Sequence, residues 1–212
     1  MDRRQFMNDA SVLGTAALAV AGSVISTPGR AQETAPAVSP VQLESPFADV
    51  STYENPRLEF VFEIDLNFTR THNINNMPTG AGRGAVYLDS GTVSGPRLNG
   101  MALPDSGGDW ALFRPDDVLS FGARYMLQAD DGTLILLRNN GYLWGRHTDT
   151  MAKIRAWIFE NGPDVLESDY YLRANPTFEV ERGKHDWLMR HVIVGIGRRK
   201  EQGNIIRYYA LL

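Results

Sequence analysis

The sequence contains no cysteine. This absence excludes disulfide bonds, thiolate nucleophiles, iron–sulfur clusters and covalently attached haem. The folded protein therefore depends on its hydrophobic core for stability, and the length of 212 residues is sufficient for one substantial core.

Long basic runs are also missing, the longest being Arg198-Arg199-Lys200 in a chain of formal net charge −4. Proteins that bind nucleic acid concentrate Lys and Arg into a patch that contacts phosphates. The sequence therefore predicts no nucleic-acid partner.

Motifs of common catalytic and cofactor sites are absent. There is no Gly-x-Ser-x-Gly, no P-loop and no dinucleotide fingerprint, and Gly80-Ala81-Gly82-Arg83-Gly84 does not have the dinucleotide spacing. No two histidines are spaced to place both rings on one metal from a single helix or strand. The histidines are His72, His147, His185 and His191. We expect neither a metal nor a cofactor.

The N-terminal 31 residues have the pattern of a twin-arginine export signal. Arg3-Arg4-Gln5-Phe6 precedes an uncharged Ala- and Gly-rich run from Ala10 to Val24, and Thr27–Ala31 ends on a small residue. A spanning helix needs about 20 strongly apolar residues, so we expect no membrane span in the mature protein. We predict cleavage after residue 31, the twin-arginine export machinery as a transient partner, and a periplasmic location.

Two further segments follow the predicted signal. Residues 32–55 are rich in Pro, Ser, Ala and Thr without an apolar period, which is typical of a flexible linker. Residues 56–212 are predicted to form a single domain. Removing residues 1–31 leaves a net charge of −5.

The first strand of that domain is predicted from strict alternation. Apolar residues occupy every second position from Leu58 to Phe68, and mostly polar residues lie between them. A period of two over this length predicts a strand with one buried face.

Short strands and turns continue along the chain. Val118–Ala129 alternates, Asp130-Asp131-Gly132 predicts a hairpin turn, and Asn139-Asn140-Gly141 predicts another. One helix is predicted before Gly162-Pro163, with Met151, Ile154, Trp157 and Ile158 on its apolar stripe. The predicted fold is all-β: an antiparallel β-barrel of about 8–10 strands with one short helix. A sandwich is the alternative, but the hairpin-linked order favours a barrel, whose closure removes exposed edges.

Several motifs resemble those of the DUF3237 family, also called UPF0311. They recur in the family's order between about Leu58 and Leu212. They are Gly91–Gly100, Gly107-Gly108-Asp109-Trp110, Arg114-Pro115-Asp116, Ala123-Arg124-Tyr125, Asp130-Asp131-Gly132, Tyr170-Tyr171-Leu172-Arg173, Pro176-Thr177-Phe178-Glu179 and Trp187-Leu188. The resemblance implies a small β-barrel without an established biochemical role. Two departures, the loop at residues 73–84 and Leu172 where the family has Phe, would alter the mouth of a pocket.

Five residues are candidates for binding a ligand: Trp110, Arg114, Arg124, Tyr171 and Arg173. Trp110 and Arg114 share a strand face, and an arginine beside an aromatic ring can hold an anion. Arg124 lies on the polar face of a long strand and is expected to face a partly polar barrel interior. The alternative for each is structural, as a core Trp or as an Arg bonded to carbonyls or carboxylates.

Candidate catalytic residues are Tyr171, Glu179 and Asp109, because a phenol or a carboxyl group in a pocket can transfer protons. Three functions stay open. The barrel binds a small anionic or oxygenated organic molecule, it is a cofactor-independent isomerase, lyase or hydrolase, or it is a structural or partner-binding protein with a filled core. A structural protein would expose an apolar patch instead of a pocket.

Overall fold

The computed structural model describes Phe47 and residues 55–212. Within them the strands are β1 Leu58–Ile74, β2 Gly82–Ser94, β3 Gly100–Ala102, β4 Gly108–Phe113, β5 Leu119–Ala129, β6 Leu134–Gly145, β7 Tyr170–Val180, β8 Ile193–Lys200 and β9 Gly203–Leu211. One α-helix, α1, covers Thr150–Phe159, and 3-10 turns cover Glu167–Asp169 and Asp186–Met189.

The sheet closes into an eight-position antiparallel barrel. Each strand pairs with its sequence neighbours from β5 to β9, and β1 closes the ring by pairing with both β9 and β2. The short strands β3 and β4 both lie between β2 and β5, one after the other, so they share one position. The predicted all-β barrel with one helix is confirmed.

The alternation predicted for β1 is interrupted by a bulge. The register of β1 against β9 shifts between Phe60 and Phe62, and the side chains of both Val61 and Phe62 are fully buried. Before the bulge, Phe60 lies outside against Tyr209, with ring centroids 5.7 Å apart, and Leu58 is 47% exposed. Only the part after the bulge follows the predicted pattern, because the extra residue reverses which side chains face the core.

The predicted turn at Asn139-Asn140-Gly141 is wrong, since β6 runs straight through it. Gly141 is needed there because a Cβ would lie 2.4 Å from the Phe121 ring and 2.1 Å from the carbonyl oxygen of Arg173. Asn139 is buried and donates to the Tyr208 hydroxyl at 3.0 Å. Tertiary contacts thus override the local turn tendency of Asn-Gly.

Two other boundaries differ from those that the sequence pattern predicts, which are short strands at about 170–172 and 177–180 and a strand over 187–198. Residues 170–180 instead form the single strand β7, which contains Pro176. Proline is tolerated because β7 pairs with β8 only at Arg173 and Ala174, leaving the rest of that edge open. Trp187, expected in a strand, lies in a 3-10 turn, and β8 begins at Ile193.

The helix agrees with its predicted stripe. Met151, Ile154 and Trp157 are buried beside Phe121 and Leu143 in a core cluster of their own. Asp149 is the N-cap residue of α1, but its side chain makes no capping hydrogen bond. Its carboxylate instead forms an ion pair with Lys153, with Nζ and Oδ2 2.6 Å apart.

The Asp130-Asp131-Gly132 hairpin is confirmed as a turn, with Gly132 at a φ of +87°. Asp131 accepts from the backbone of Thr133 and contacts Nε2 of the buried His185 at 2.9 Å. These hydrogen bonds hold the pKa of Asp131 well below its usual range, with the His185 contact contributing most. The carboxyl group joins the hairpin to the loop before β8.

The predicted signal, residues 1–31, lies outside the described residues, as does most of the predicted linker. Phe47, which falls within that linker, is buried. Its ring packs edge-on against Trp187 at 5.7 Å and against His191 at 4.8 Å.

Candidate functional site

A cavity lies in the barrel lumen, lined by residues of β1, β2, the strands β4 to β9 and α1. Its volume is about 90 Å³. Most of its wall is apolar, contributed by Phe113, Phe121, Leu143, Met151, Ile154, Ile158 and Leu172 among others. Small-molecule sites usually occupy 300 Å³ or more, and an apolar cavity of about 150 Å³ takes up benzene. As it stands, the lumen fits a molecule of a few heavy atoms.

Asp109 is the acidic group of the cavity. It lies on β4 where the pairing with β5 is interrupted, between Ala123 and Ser120. There the backbone N–H of Gly122 donates to Oδ1 of Asp109 at 3.1 Å instead of to the neighbouring strand. The alternation of β4 turns Asp109, Ala111 and Phe113 toward the lumen.

Asn139 and two tyrosines form a polar cluster deeper in the lumen. The Asn139 amide nitrogen donates to the Tyr208 hydroxyl, while Asn139 Oδ1 is buried without a partner. The hydroxyl of Tyr125 is fully buried close to Tyr208 and makes no well-aligned hydrogen bond. Both polar atoms are desolvated, which is costly unless something satisfies them.

Arg199 supplies the positive charge. Its Nη1 donates to Asn204 Oδ1 at 2.8 Å, and its backbone N–H donates to the Tyr170 hydroxyl at 2.8 Å. Its Nε is buried with no partner. A guanidinium with a free N–H in a cavity is a donor poised for an oxygen atom.

Burial controls the protonation of these groups. It raises the pKa of Asp109 to about 6, opposed by the Gly122 hydrogen bond and by the charge of Arg199. Burial also lowers the pKa of Arg199 to about 10 and raises the pKa of Tyr125 well above its usual value. Near neutral pH the lumen thus holds the Arg199 cation, the neutral phenols of Tyr125 and Tyr208, and a carboxyl group on Asp109 that readily changes protonation state.

The structure places the predicted ligand residues outside this cavity. Trp110 is 45% exposed on the outer face of β4, because strand alternation turns it away from Asp109. Arg114 is exposed and pairs with Asp116. Arg124 is exposed on the outside of β5, while its neighbour Tyr125 faces the lumen. Adjacent residues of a strand face opposite sides, so the expectation that Arg124 faces the barrel interior is wrong.

Tyr171, Arg173 and Glu179 lie on the outer face of β7. Glu179 is taken up by an ion pair with Arg138 at 2.7 Å. Tyr171 and Arg173 share a groove on the outside of the barrel. Of the predicted catalytic candidates, Asp109 alone lines the lumen, and the five predicted ligand residues do not meet in one cavity.

Sequence reasoning missed most of the lumen's polar residues. The Asn-Asn-Gly pattern predicts a turn at Asn139, and Arg199 stands out in the sequence only as a member of the longest basic run. Tyr125 did carry a usable signal, because it falls on the apolar face of the alternating segment 118–129. A hydroxyl among buried apolar positions indicates a polar group inside the barrel.

Two further searches concern the part of the chain that the structure describes. It contains no cluster of three His, Asp or Glu side chains arranged to hold a metal ion. None of its helices has the length and apolar character required to cross a bilayer.

Comparison with known proteins gives consistent matches over the barrel. Residues 56–211 match the family described as "Protein of unknown function (DUF3237)". A UPF0311 protein of Clostridium acetobutylicum is 31% identical over 163 residues, covering 77% of this chain and 99% of that protein.

Solved structures match as well. A Clostridium acetobutylicum protein described as having unknown function superposes with a TM-score of 0.67 at 28% identity, covering 76% of this chain and all of that one. A "beta-barrel like protein" of Acinetobacter baumannii gives a TM-score of 0.63 at 24% identity, covering 77% of this chain and 100% of that one. The latter shows the fold alone.

Proposed function

The chain belongs to the DUF3237 family, and we propose that its barrel binds a small anionic or oxygenated organic molecule in the lumen. The family description names no activity, so the proposal rests on the cavity itself. Fold alone would not support it, because one fold hosts many functions.

The observation that carries the proposal is the set of unsatisfied polar atoms around the cavity. Asn139 Oδ1 and Arg199 Nε are buried without a partner, and Tyr125 OH lies beside Tyr208 without a well-aligned hydrogen bond. Each such group costs on the order of 1–3 kcal/mol when left unpaired, and native proteins rarely tolerate several together. A ligand with an oxygen for Arg199 and a hydroxyl for Asn139 would remove this cost.

A second candidate function, a cofactor-independent enzyme, is supported by Asp109. Its pKa of about 6 is close to the value that suits a general acid or base near neutral pH. An acid whose pKa is perturbed inside a cavity is a candidate for a functional site. In this version Asp109 exchanges a proton with the ligand, Arg199 stabilises developing negative charge, and Tyr125 and Asn139 orient the molecule.

Native mass spectrometry of the protein purified under native conditions from its own cells tests the binding proposal. We expect a bound small molecule in the wild type, reduced about tenfold by Tyr125→Phe, which removes one hydroxyl from the cavity. Asn139→Leu should have a similar effect. Tyr209→Phe is the matched control, because it removes a hydroxyl from the outer face of β9, where Tyr209 packs against Phe60 outside the cavity.

Loss of the bound small molecule supports the proposal only in a variant that keeps the thermal unfolding transition of the wild type. Tyr125→Phe is chosen because this conservative change should preserve the transition. An adduct that is absent from the wild type, or that survives both lumen changes, would contradict binding in the lumen.

We also propose that the protein is exported to the periplasm through the twin-arginine route. Replacing Arg3-Arg4 by Lys-Lys should leave full-length precursor in the cytoplasm, because that route reads the arginine pair. Fractionation and immunoblotting measure the ratio of precursor to mature protein. Unchanged export of the Lys-Lys variant would show that the N-terminus is another kind of signal.

A further inference from the structure

A second concave site lies on the outside of the barrel, over β6, β7 and β8. Its volume is about 490 Å³, within the range of small-molecule sites. Its lining includes Tyr142, Tyr171 and Arg173. We call it the outer groove.

The groove exists because β7 and β8 separate. The two strands pair only at Arg173 with Ile196 and at Ala174 with Gly195. Glycine is required at position 195, where a Cβ would lie 2.9 Å from the Ala174 side chain. On both sides of this contact the strands diverge, and the opening is lined by groups from both.

An aromatic stack borders the groove. The rings of Trp144 and Tyr171 are stacked with centroids 5.1 Å apart and planes 19° apart. Guanidinium groups cover the two ends, Arg146 at 5.7 Å from the Trp144 ring and Arg173 at 5.0 Å from the Tyr171 ring. Stacking of this kind fixes the position of both arginines with little loss of hydrogen-bonding capacity.

Arg173 keeps donors available to a ligand. Its Nη1 donates to the Leu172 carbonyl at 2.9 Å, and it forms no ion pair with a carboxylate of the described residues. On the same outer face Arg138 is neutralised by Glu179 at 2.7 Å. The groove thus presents one oriented, uncompensated positive charge in a protein whose overall charge is negative.

Tyr142 supplies an open aromatic surface beside that charge. It is 53% exposed, although a ring of this size is normally more buried. It lies opposite Arg173 in the pairing of β6 with β7, so ring and guanidinium project from the same side of adjacent strands.

We propose that the outer groove binds an aromatic carboxylate, with the carboxylate paired to Arg173 and the ring stacked on Tyr142. Charge complementarity selects the acid and the exposed ring selects the flat aromatic body. This site is separate from the lumen, and its occupant is larger than the lumen admits.

Isothermal titration of the full chain with 2-naphthoate tests the proposal. Binding should weaken about tenfold in Arg173→Gln and several-fold in Tyr142→Ala, because each removes one of the two contacts. Neutral 2-methylnaphthalene should bind the wild type more weakly than 2-naphthoate, and that preference should disappear in Arg173→Gln. Arg124→Gln is the matched control, since Arg124 is an unpaired arginine on the outer face of β5 outside the groove.

Three results would overturn the proposal. The first is no binding of 2-naphthoate at millimolar concentration. The second is binding that Asp109→Asn abolishes and Arg173→Gln leaves intact, which would place the molecule in the lumen and support the proposed function instead. The third is a dimer in light scattering that Tyr142→Ala dissociates, which would make the groove an interface between copies of the chain.

Discussion

Replacing Phe62 by alanine is expected to lower the free energy of unfolding by about 3–5 kcal/mol, the usual cost of removing a buried phenylalanine ring. Phe62 is fully buried and contacts Tyr208 and Phe178 with ring centroids 4.9 and 6.1 Å away. Its neighbourhood is tight, because a Cβ on Gly95 would lie 2.4 Å from the Phe62 Cα. Urea unfolding at fixed pH measures the change.

Phe60→Ala is the matched control for this experiment. It removes the same ring two positions earlier on the same strand, but from the outer face, where Phe60 contacts Tyr209 and Arg207. We expect a loss of about 1 kcal/mol, because the site is only partly buried. Equal losses in the two variants, or a loss below about 1 kcal/mol for Phe62→Ala, would mean that the bulge in β1 is misplaced.

The second large effect is a gain in stability. Asp109→Asn should be more stable than the wild type at pH 8 by about 3 kcal/mol, and the two should converge toward pH 4. The amide keeps an oxygen for the Gly122 N–H and removes a buried negative charge. Stabilisation of this size by a single change is typical of residues retained for function at the expense of stability.

The direction follows from the pKa of Asp109, which burial raises from its usual 3.8 to about 6 in the folded protein. The folded state therefore holds the proton more tightly than the unfolded state does. This contribution is complete below pH 4 and is lost as pH rises through about 6. The Asp109→Asn variant has no ionisable group at this position, so it does not lose this stability as the pH rises.

Thermal unfolding between pH 4 and pH 8 measures the difference. Asp105→Asn is the control, because it makes the same substitution at an exposed turn residue outside the cavity. If Asp109→Asn instead destabilises the protein at pH 8, the carboxylate is a structural partner of Arg199. The catalytic candidate would then lose its main support.

The extent of agreement between sequence and structure differs between elements. Residues 119–127 alternate without interruption and β5 follows the prediction, because nothing in that segment conflicts with a half-buried strand. In β1 the alternating pattern predicts the wrong face for the first residues of the strand. The bulge between Phe60 and Phe62 reverses which side chains face the core, and nothing in the pattern of residue types reveals it. In β6, Asn-Gly has a local preference for turning that neighbouring strands override.

The candidate site was harder to predict for a related reason. Asp109, Tyr125, Asn139 and Arg199 come from four strands, and no spacing within the sequence relates them. Arg124 and Tyr125 are adjacent, yet one faces solvent and the other the lumen. Assigning an inner and an outer face requires knowing that the sheet closes with the apolar face inside and that the inside retains polar groups.

The sequence by itself determined the class of fold, helix α1, the main hairpin and the family, because these depend on periodicity, turn residues and motifs close together in the chain. Only the tertiary structure decided which polar side chains meet. Closure of the barrel brings Arg199 on β8 beside Asp109 on β4, and separation of β7 from β8 opens the outer groove. Both are consequences of pairing between distant strands, where burial and register outweigh the local preferences that a sequence displays.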